Sequence, residues 1–172
     1  MRRLVDDLLF LARSDAVEEK RVTADVELSD LSYSVLLQFE PLAYEKGLTL
    51  DSAVEEGVTV QGDPTRMKQL IHILLDNACK YAGERGQVKL RLYRQAGGAV
   101  LEVHNTGEAI PVGDLPHIFE RFYRSDKARS SEGGFGLGLA IAKSIADQHG
   151  ALLSADSAEG LGTKMTVRFR GV

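Results

Sequence analysis

The chain has 172 residues, of which 44% are hydrophobic and 27% are charged, as is usual for a globular protein with one sizeable core. Its net charge of -4 and its pI near 5.6 argue against a basic surface for nucleic acid or anionic lipid. Cys79 is the single cysteine, which excludes an internal disulfide and a multi-cysteine zinc site. No apolar run approaches the roughly 20 residues that span a bilayer.

The first predicted element is an amphipathic helix over residues 1–13. Its apolar residues recur at three- and four-residue spacing, and charged residues occupy the other faces. The charged stretch 14–21 has no apolar period and indicates a helix end or a linker. We therefore divide the chain into an appendage, residues 1–20, and a main domain, residues 21–172.

A second helix is predicted to begin at a cap formed by Ser29 or Asp30. It should end at Gly47, which can adopt the left-handed conformation that closes helices. Pro41 lies within this segment and has no backbone N–H, so it predicts a kink or a shorter helix.

Two short strands are predicted next, over residues 48–54 and 58–61, on either side of a turn that contains Gly57. The strongest helix signal in the chain follows them. Asp63-Pro64 supplies a capping carboxylate and a proline at the first helical position, and apolar residues then recur on one face. We predict this helix over residues 64–81.

Alternating apolar and polar residues predict a hairpin of strands over 88–94 and 99–105. The stretch 106–135 has no sustained period and is long for a structureless connection, so it should be functional or contain short helices.

A helical period resumes over 136–149 and stops at Gly150, and strands over 151–156 and 163–170 predict a closing hairpin. Antiparallel hairpins alternating with helices predict an α+β fold. We expect a two-layer α/β sandwich with helices on one face of a mixed, mostly antiparallel sheet, plus the N-terminal helix.

Four segments combine residue types that suit nucleotide chemistry. The amide oxygen of Asn77 suits hard Mg²⁺, and Lys80, on a neighbouring helix position, supplies a compact charge for phosphate oxygens. Glycines that lead into a helix N-terminus form a natural phosphate site. Taken singly, each pattern is also typical of a solvated helix face, a turn or an ordinary core. The segments are Leu75 to Tyr81, Val103 to Pro111, Ile118 to Arg124 and Gly133 to Leu139.

Together and in this order, the segments resemble the N, G1, F and G2 boxes of bacterial sensor histidine kinases, within the ATPase superfamily of DNA gyrase, heat-shock chaperones and MutL. The resemblance extends over most of residues 25–170 and implies a Bergerat ATP-binding fold that holds ATP and Mg²⁺. Residues 1–16 resemble the end of the second helix of the family's dimerisation and phosphotransfer domain.

The resemblance also implies partners and a location. The partners would be the histidine-bearing dimerisation domain of the parent kinase and a response regulator. The parent would be a membrane-anchored sensor with this domain in the cytoplasm. Self-association of this chain through residues 1–16 is a further expectation.

The resemblance assigns roles to single residues. Asn77 would ligate Mg²⁺, and Lys80 and Arg124 would contact phosphates. Asn105 would accept a hydrogen bond from the adenine amino group, at a position where the family often has Asp. The other implied nucleotide contacts are Tyr81, Gly107, Ile110, Gly134, Gly136, Leu137, Gly138, Leu139 and Thr163.

The implied lid covers residues 123–135, with Lys127 and Arg129 as further phosphate contacts. Two positions depart from the family pattern. Ala109 replaces a glycine, so its methyl group could restrict a backbone that needs a positive φ. Ile73 stands where superfamily ATPases place a catalytic glutamate; because isoleucine cannot activate water, we expect little ATP hydrolysis.

The family's phosphate acceptor is a histidine near the start of the first dimerisation helix, followed by an acidic residue and a Thr-Pro turn. None of the histidines of this chain has that context, so the acceptor should lie on another segment. A gyrase- or chaperone-type ATPase and a nucleotide-binding module without transferase activity remain as alternatives. The histidines are His72, His104, His117 and His149.

Overall fold

The structure is a computed structural model that describes residues 2–15, 23–124 and 136–170. Its elements, in chain order, are α1 (Arg2–Asp15), β1 (Ala24–Glu27), α2 (Leu28–Lys46), β2 (Thr49–Val54), β3 (Thr59–Gly62), α3 (Pro64–Tyr81), β4 (Gln87–Gln95), β5 (Gly98–Asn105), α4 (Gly138–Gln148), β6 (Leu152–Ala158) and β7 (Gly162–Arg170). A short 3-10 helix, Leu115–His117, lies within the long connection before α4 and confirms that this stretch contains helix.

The main sheet has five strands in the order β2-β4-β5-β7-β6. β2 runs parallel to β4 and the other neighbours are antiparallel. Alternate side chains of β4 and β5, such as Leu90, Leu101 and Val103, are buried in one core with side chains of α2, α3 and α4. The intervening side chains point to the opposite face of the sheet, and some of them, such as Lys89, are exposed. The predicted two-layer α+β sandwich is therefore confirmed.

β2 and β3 are both present, but the two strands do not pair with each other across the turn that joins them. β2 joins the main sheet beside β4, whereas β3 pairs with β1 in a separate two-stranded sheet. β1 itself was not predicted. With only four residues, Ala24 to Glu27, it offers too little alternation to be recognised and depends on pairing with β3.

The predicted features of α2 are partly wrong. The helix begins at Leu28, and the side chain of Ser29 does not cap it; its hydroxyl accepts the Val58 N–H at 2.9 Å and donates to the Glu55 carbonyl at 2.6 Å. Pro41 does not end the helix. It lies on the exposed side of α2, where water can satisfy the carbonyl that proline leaves without a partner. Gly47 closes the helix with φ of 67°, as predicted.

Helix α1 packs on the main domain with part of its apolar stripe. Leu11 is 1% exposed, and the Arg66 guanidinium lies 4.3 Å from the centre of the Phe10 ring. Val5 and Leu9 remain about half exposed, so the main domain covers only part of the apolar stripe of α1. Within the described residues, no helix is both long and apolar enough to cross a bilayer.

Candidate functional site

Helix α3 carries the first group of site residues. It begins at Pro64 because Asp63 Oδ1 accepts the N–H of Thr65 at 2.9 Å and of Arg66 at 3.3 Å. It ends at Tyr81, so the predicted bounds are confirmed. One face is fully buried in the core, and the polar residues of the site lie near the C-terminal end.

Asn77 is half-buried, and its amide makes no hydrogen bond with any other described residue. Lys80 is engaged instead, with its Nζ 3.0 Å from Asp76 Oδ2. Lys80 would have to loosen this ion pair to contact a phosphate. No cluster of three or more His, Cys, Asp or Glu that could hold a metal occurs among the described residues. The amide oxygen of Asn77 is of a type that Mg²⁺ can accept as a ligand.

Two polar side chains end the central strands on the otherwise apolar, helix-covered face. Asn105 is 2% exposed and Thr163 is 4% exposed, and they are direct cross-strand partners. The Asn105 Nδ2 donates to the Thr106 carbonyl at 2.7 Å. The amide oxygen of Asn105 therefore remains available as an acceptor beside the Thr163 hydroxyl.

The end of β5 is pressed against the end of α3. The Thr106 hydroxyl donates to the Ala82 carbonyl at 3.0 Å and accepts the Gln87 N–H at 2.8 Å. Gly107 has φ of 112°, and a Cβ there would overlap the Tyr81 carbonyl oxygen. Glycine is thus required on both steric and conformational grounds. Tyr81, 42% exposed, borders this junction.

A residue that the sequence analysis missed links the strand ends to the following turn. Ser157, the cross-strand partner of Thr163, accepts the Ile110 N–H at 2.8 Å and lies 2.9 Å from Thr163 Oγ1. The sequence signal that could have identified Ser157 is its position just before a turn, on the same face of β6 as the apolar residues of that strand.

Ala109, beside Ile110, does not adopt a positive φ, so the expected restriction by its methyl group is wrong.

The start of α4 lies against α3. Gly136 has φ of 73°, and its carbonyl accepts the Phe122 N–H at 3.0 Å. The helix begins at Gly138, two residues later than predicted. A Cβ placed on Gly138 would lie 3.8 Å from Ile73 Cγ2, so α4 starts beside α3 one turn before Asn77. Leu137 is buried and Leu139 is half-buried at this start.

The profile of the family described as "Histidine kinase-, DNA gyrase B-, and HSP90-like ATPase" matches residues 62–171. The chain belongs to this family. It is 39% identical over 172 residues to the sensor histidine kinase YkoH of Bacillus subtilis, covering 98% of this chain and 36% of that protein. The resemblance to sensor histidine kinases is thereby confirmed.

Solved structures agree with this assignment. The mycobacterial sensor histidine kinase MprB matches with a TM-score of 0.76 and 31% identity, covering 86% of this chain and 98% of that one. Full-length ShkA, solved in complex with AMPPNP, matches with a TM-score of 0.87 and 28% identity, covering 99% of this chain and 36% of that one. The chain is an ATP-binding catalytic domain of the sensor histidine kinase type, spanning about a third of YkoH.

In this histidine kinase domain the described contacts bring the predicted residues into two groups. The first group lies at the strand ends and contains Asn105, Thr163, Gly107 and Tyr81. The second group lies where the start of α4 meets α3, one turn before Asn77. Arg124 is half-buried and has contacts of its own. Outside the described residues lie Gly134, Lys127, Arg129 and most of the predicted lid.

Proposed function

We propose that this domain binds Mg-ATP and transfers its γ-phosphoryl group to a histidine outside this chain. The observation that carries the proposal is the pair Asn105 and Thr163. Both are buried, polar and adjacent at the end of an apolar sheet face, where a planar base could lie. Buried polar side chains with free hydrogen-bonding capacity are costly unless a ligand or water uses it.

The phosphates would lie toward the start of α4. Backbone N–H groups at a helix N-terminus attract anions, and the first turn of α4 has no acidic residue to compete. Asn77 would hold the Mg²⁺ that bridges phosphate oxygens, and Lys80 and Arg124 would neutralise developing charge. Gly134, Leu137 and Leu139 complete the proposed phosphate end.

Phosphoryl transfer is favoured over hydrolysis because of Ile73. This side chain packs beside Gly138, one turn before Asn77, and has no group that could take a proton from water. Transfer to a histidine depends mainly on positioning and charge neutralisation. The acceptor imidazole would attack through its unprotonated nitrogen, the phosphorus–oxygen bond to ADP breaks as the nitrogen–phosphorus bond forms, and the ring can then lose the proton of its other nitrogen.

The appendage, residues 1–20, would belong to the dimerisation domain that carries the acceptor. The exposed residues Val5, Leu8 and Leu9 are a suitable surface for pairing with the rest of that helical domain or with a second copy. A response regulator would then take the phosphoryl group. The domain would work in the cytoplasm, as part of a parent sensor protein that is anchored in the membrane.

Calorimetric titration tests nucleotide binding. We expect ATP to bind in the presence of Mg²⁺ and to bind much more weakly when the metal is chelated. No binding under either condition would rule out both the kinase and the non-catalytic binder.

A second experiment tests transfer. The chain is mixed with the dimerisation-domain fragment of its own gene and γ-labelled ATP, and acid-labile, base-stable phosphate on that fragment is the expected product. Binding without transfer would favour a non-catalytic module, and steady phosphate release without the fragment would favour an ATPase.

A further inference from the structure

Phe122 is a bulky residue in an unusual backbone conformation. Its φ is 62°, in the left-handed region that favours glycine. A residue with a large side chain is strained there, because its Cβ comes close to the following carbonyl oxygen. The Phe122 N–H donates to the Gly136 carbonyl at 3.0 Å, and Gly136 also has a positive φ, 73°. This contact holds the strained conformation in place.

The ring of Phe122 is also exposed to solvent. Phe122 is 57% exposed, whereas Phe119, in the same segment, packs against the hydrophobic core. Leaving an aromatic ring in water forgoes the free energy that its burial would release. A glycine at position 122 would avoid both the backbone strain and the exposed ring. The presence of phenylalanine here therefore indicates a role other than stabilising the fold.

Phe122 borders the proposed phosphate end of the site. A Cβ placed on Gly136 would lie 3.0 Å from the Phe122 Cα, and helix α4 begins two residues later, at Gly138. At no more than about 3.6 Å per residue, the Phe122 Cα lies within about 12 Å of the first residue of α4. An acceptor nitrogen must come to about 3–3.5 Å from the γ-phosphorus. A helix that presents this nitrogen is about 10 Å wide with its side chains, wide enough to reach Phe122 as well.

We propose that the exposed ring of Phe122 is a docking contact for the helix that carries the acceptor histidine, in the dimerisation domain of the parent kinase. This rests on the proposed function, because it requires the phosphates to lie at the start of α4. Helix α1, assigned to the same domain, leaves Val5 and Leu9 about half exposed, so that domain offers apolar helix surface. A single aromatic anchor can supply much of the affinity of an interface. The fixed backbone of Phe122 orients the ring in advance and lowers the entropic cost of docking.

The experiment compares Phe122→Ala with Phe122→Tyr, which keeps an aromatic ring. Leu37→Ala is the matched control, because Leu37 is 62% exposed but lies on α2. Each protein is mixed with the dimerisation-domain fragment of its own gene and γ-labelled ATP. The initial rate of fragment phosphorylation is measured at increasing fragment concentration, and the ATP dissociation constant is measured by calorimetry.

For Phe122→Ala we expect the fragment concentration at half-maximal rate to rise about tenfold, as for the loss of an interface anchor. The maximal rate and the ATP dissociation constant should stay within about twofold. Phe122→Tyr and Leu37→Ala should behave like the wild type. Phe122→Gly should show the same tenfold rise but unfold at a higher urea concentration than Phe122→Ala, because glycine adopts a positive φ without strain. A purely structural role would not produce this combination.

An unchanged half-saturating fragment concentration in Phe122→Ala would overturn the inference. So would tenfold weaker ATP binding, which would assign the ring to the nucleotide site. If Phe122→Ala does not fold, Phe122→Gly gives the same comparison.

Failure of the wild type to bind ATP, or binding without transfer, would count against the proposed function instead. The anisotropy of a fluorescently labelled fragment then decides the inference without catalysis. About tenfold weaker fragment binding by Phe122→Ala is expected, and equal or undetectable binding by both proteins would overturn it.

Discussion

The two ends of helix α3 differ in how they use their polar groups. At the N-terminal end the Asp63 carboxylate caps the helix, and the Asp63 N–H donates to His149 Nε2 at 3.1 Å. His149 Nδ1 in turn contacts the Ile145 carbonyl at 2.7 Å. At the C-terminal end the Asn77 amide has no partner among the described residues, and Tyr81 is 42% exposed.

Polar residues at the N-terminal end of α3 therefore stabilise the fold, whereas those near its C-terminal end are the proposed ligand contacts. Polar groups that hold the fold together are satisfied within the protein, because an unsatisfied buried group is destabilising. At the ligand end the Asn77 amide keeps its hydrogen-bonding capacity unused among the described residues, whereas Lys80 would have to exchange Asp76 for a phosphate. The helix has 18 residues, and a rise of 1.5 Å per residue places its ends about 27 Å apart, so each end can be changed without disturbing the other.

Gly107→Ala should have the largest effect, at the ligand end. The substitution adds a methyl group that overlaps the Tyr81 carbonyl in a backbone with φ of 112°. We expect a loss of about 3 kcal/mol in the free energy of unfolding, measured by urea denaturation, together with weaker ATP binding.

Gly97→Ala is the control for Gly107→Ala. Gly97 also has a positive φ, 77°, but nothing lies within 4 Å of an added Cβ. Gly97→Ala should lower the free energy of unfolding by only about 1 kcal/mol, the effect of the left-handed backbone alone. Equal costs at the two positions would contradict the close approach between β5 and α3.

Asn77→Ala should affect ligand binding without affecting the fold. Loss of the proposed metal ligand should weaken Mg-ATP binding by about 100-fold, since even indirect partners of a metal contribute about 10- to 100-fold. The melting temperature should change little, because the side chain has no hydrogen-bond partner among the described residues and alanine favours helix. Calorimetry checks the affinity. Lys68→Ala, exposed near the other end of α3, is the control and should bind normally.

Asp63→Ala should show the opposite behaviour. It removes two capping bonds, to the N–H groups of Thr65 and Arg66, and should lower the free energy of unfolding by about 1 kcal/mol. The ATP dissociation constant should be unchanged. Asp63→Ser keeps a capping oxygen and should recover most of the stability. A large loss of affinity in Asp63→Ala would mean that the two ends are coupled.

Cys79 should produce the smallest effect. Burial raises the pKa of the Cys79 thiol above its ordinary value, and the nearby Asp76 carboxylate adds to the rise. A raised pKa means that the thiol contributes its full stability below the unfolded pKa and loses it as the pH rises through the folded one. Urea denaturation from pH 7 to 10 should show a small loss that Cys79→Ala lacks. An identical pH dependence in both proteins would contradict the buried thiol.

Local signals explain the predictions that succeeded. The bounds of α3 follow from Asp63-Pro64 and from the apolar period, both of which act within a few residues. The hairpin of β4 and β5 follows in the same way from alternation around one turn.

Contacts distant in the chain explain the failures. Ser29 is a good helix cap by type, but its hydroxyl binds the backbone of Glu55 and Val58 instead. Pro41 breaks helices in general, but here it faces solvent. No local pattern distinguishes these outcomes, because each depends on which segment or solvent lies opposite.

The sequence by itself determined the family, the α+β layering and the residue types of the site, since motif order, periodicity and capping are all encoded over short stretches. Only the tertiary structure decided the partners of β2 and β3, the ion pair between Asp76 and Lys80, and the position of Ser157 beside Thr163. These features depend on strand register and on side chains that meet across the fold, and the free energy that selects them appears only once the core has formed.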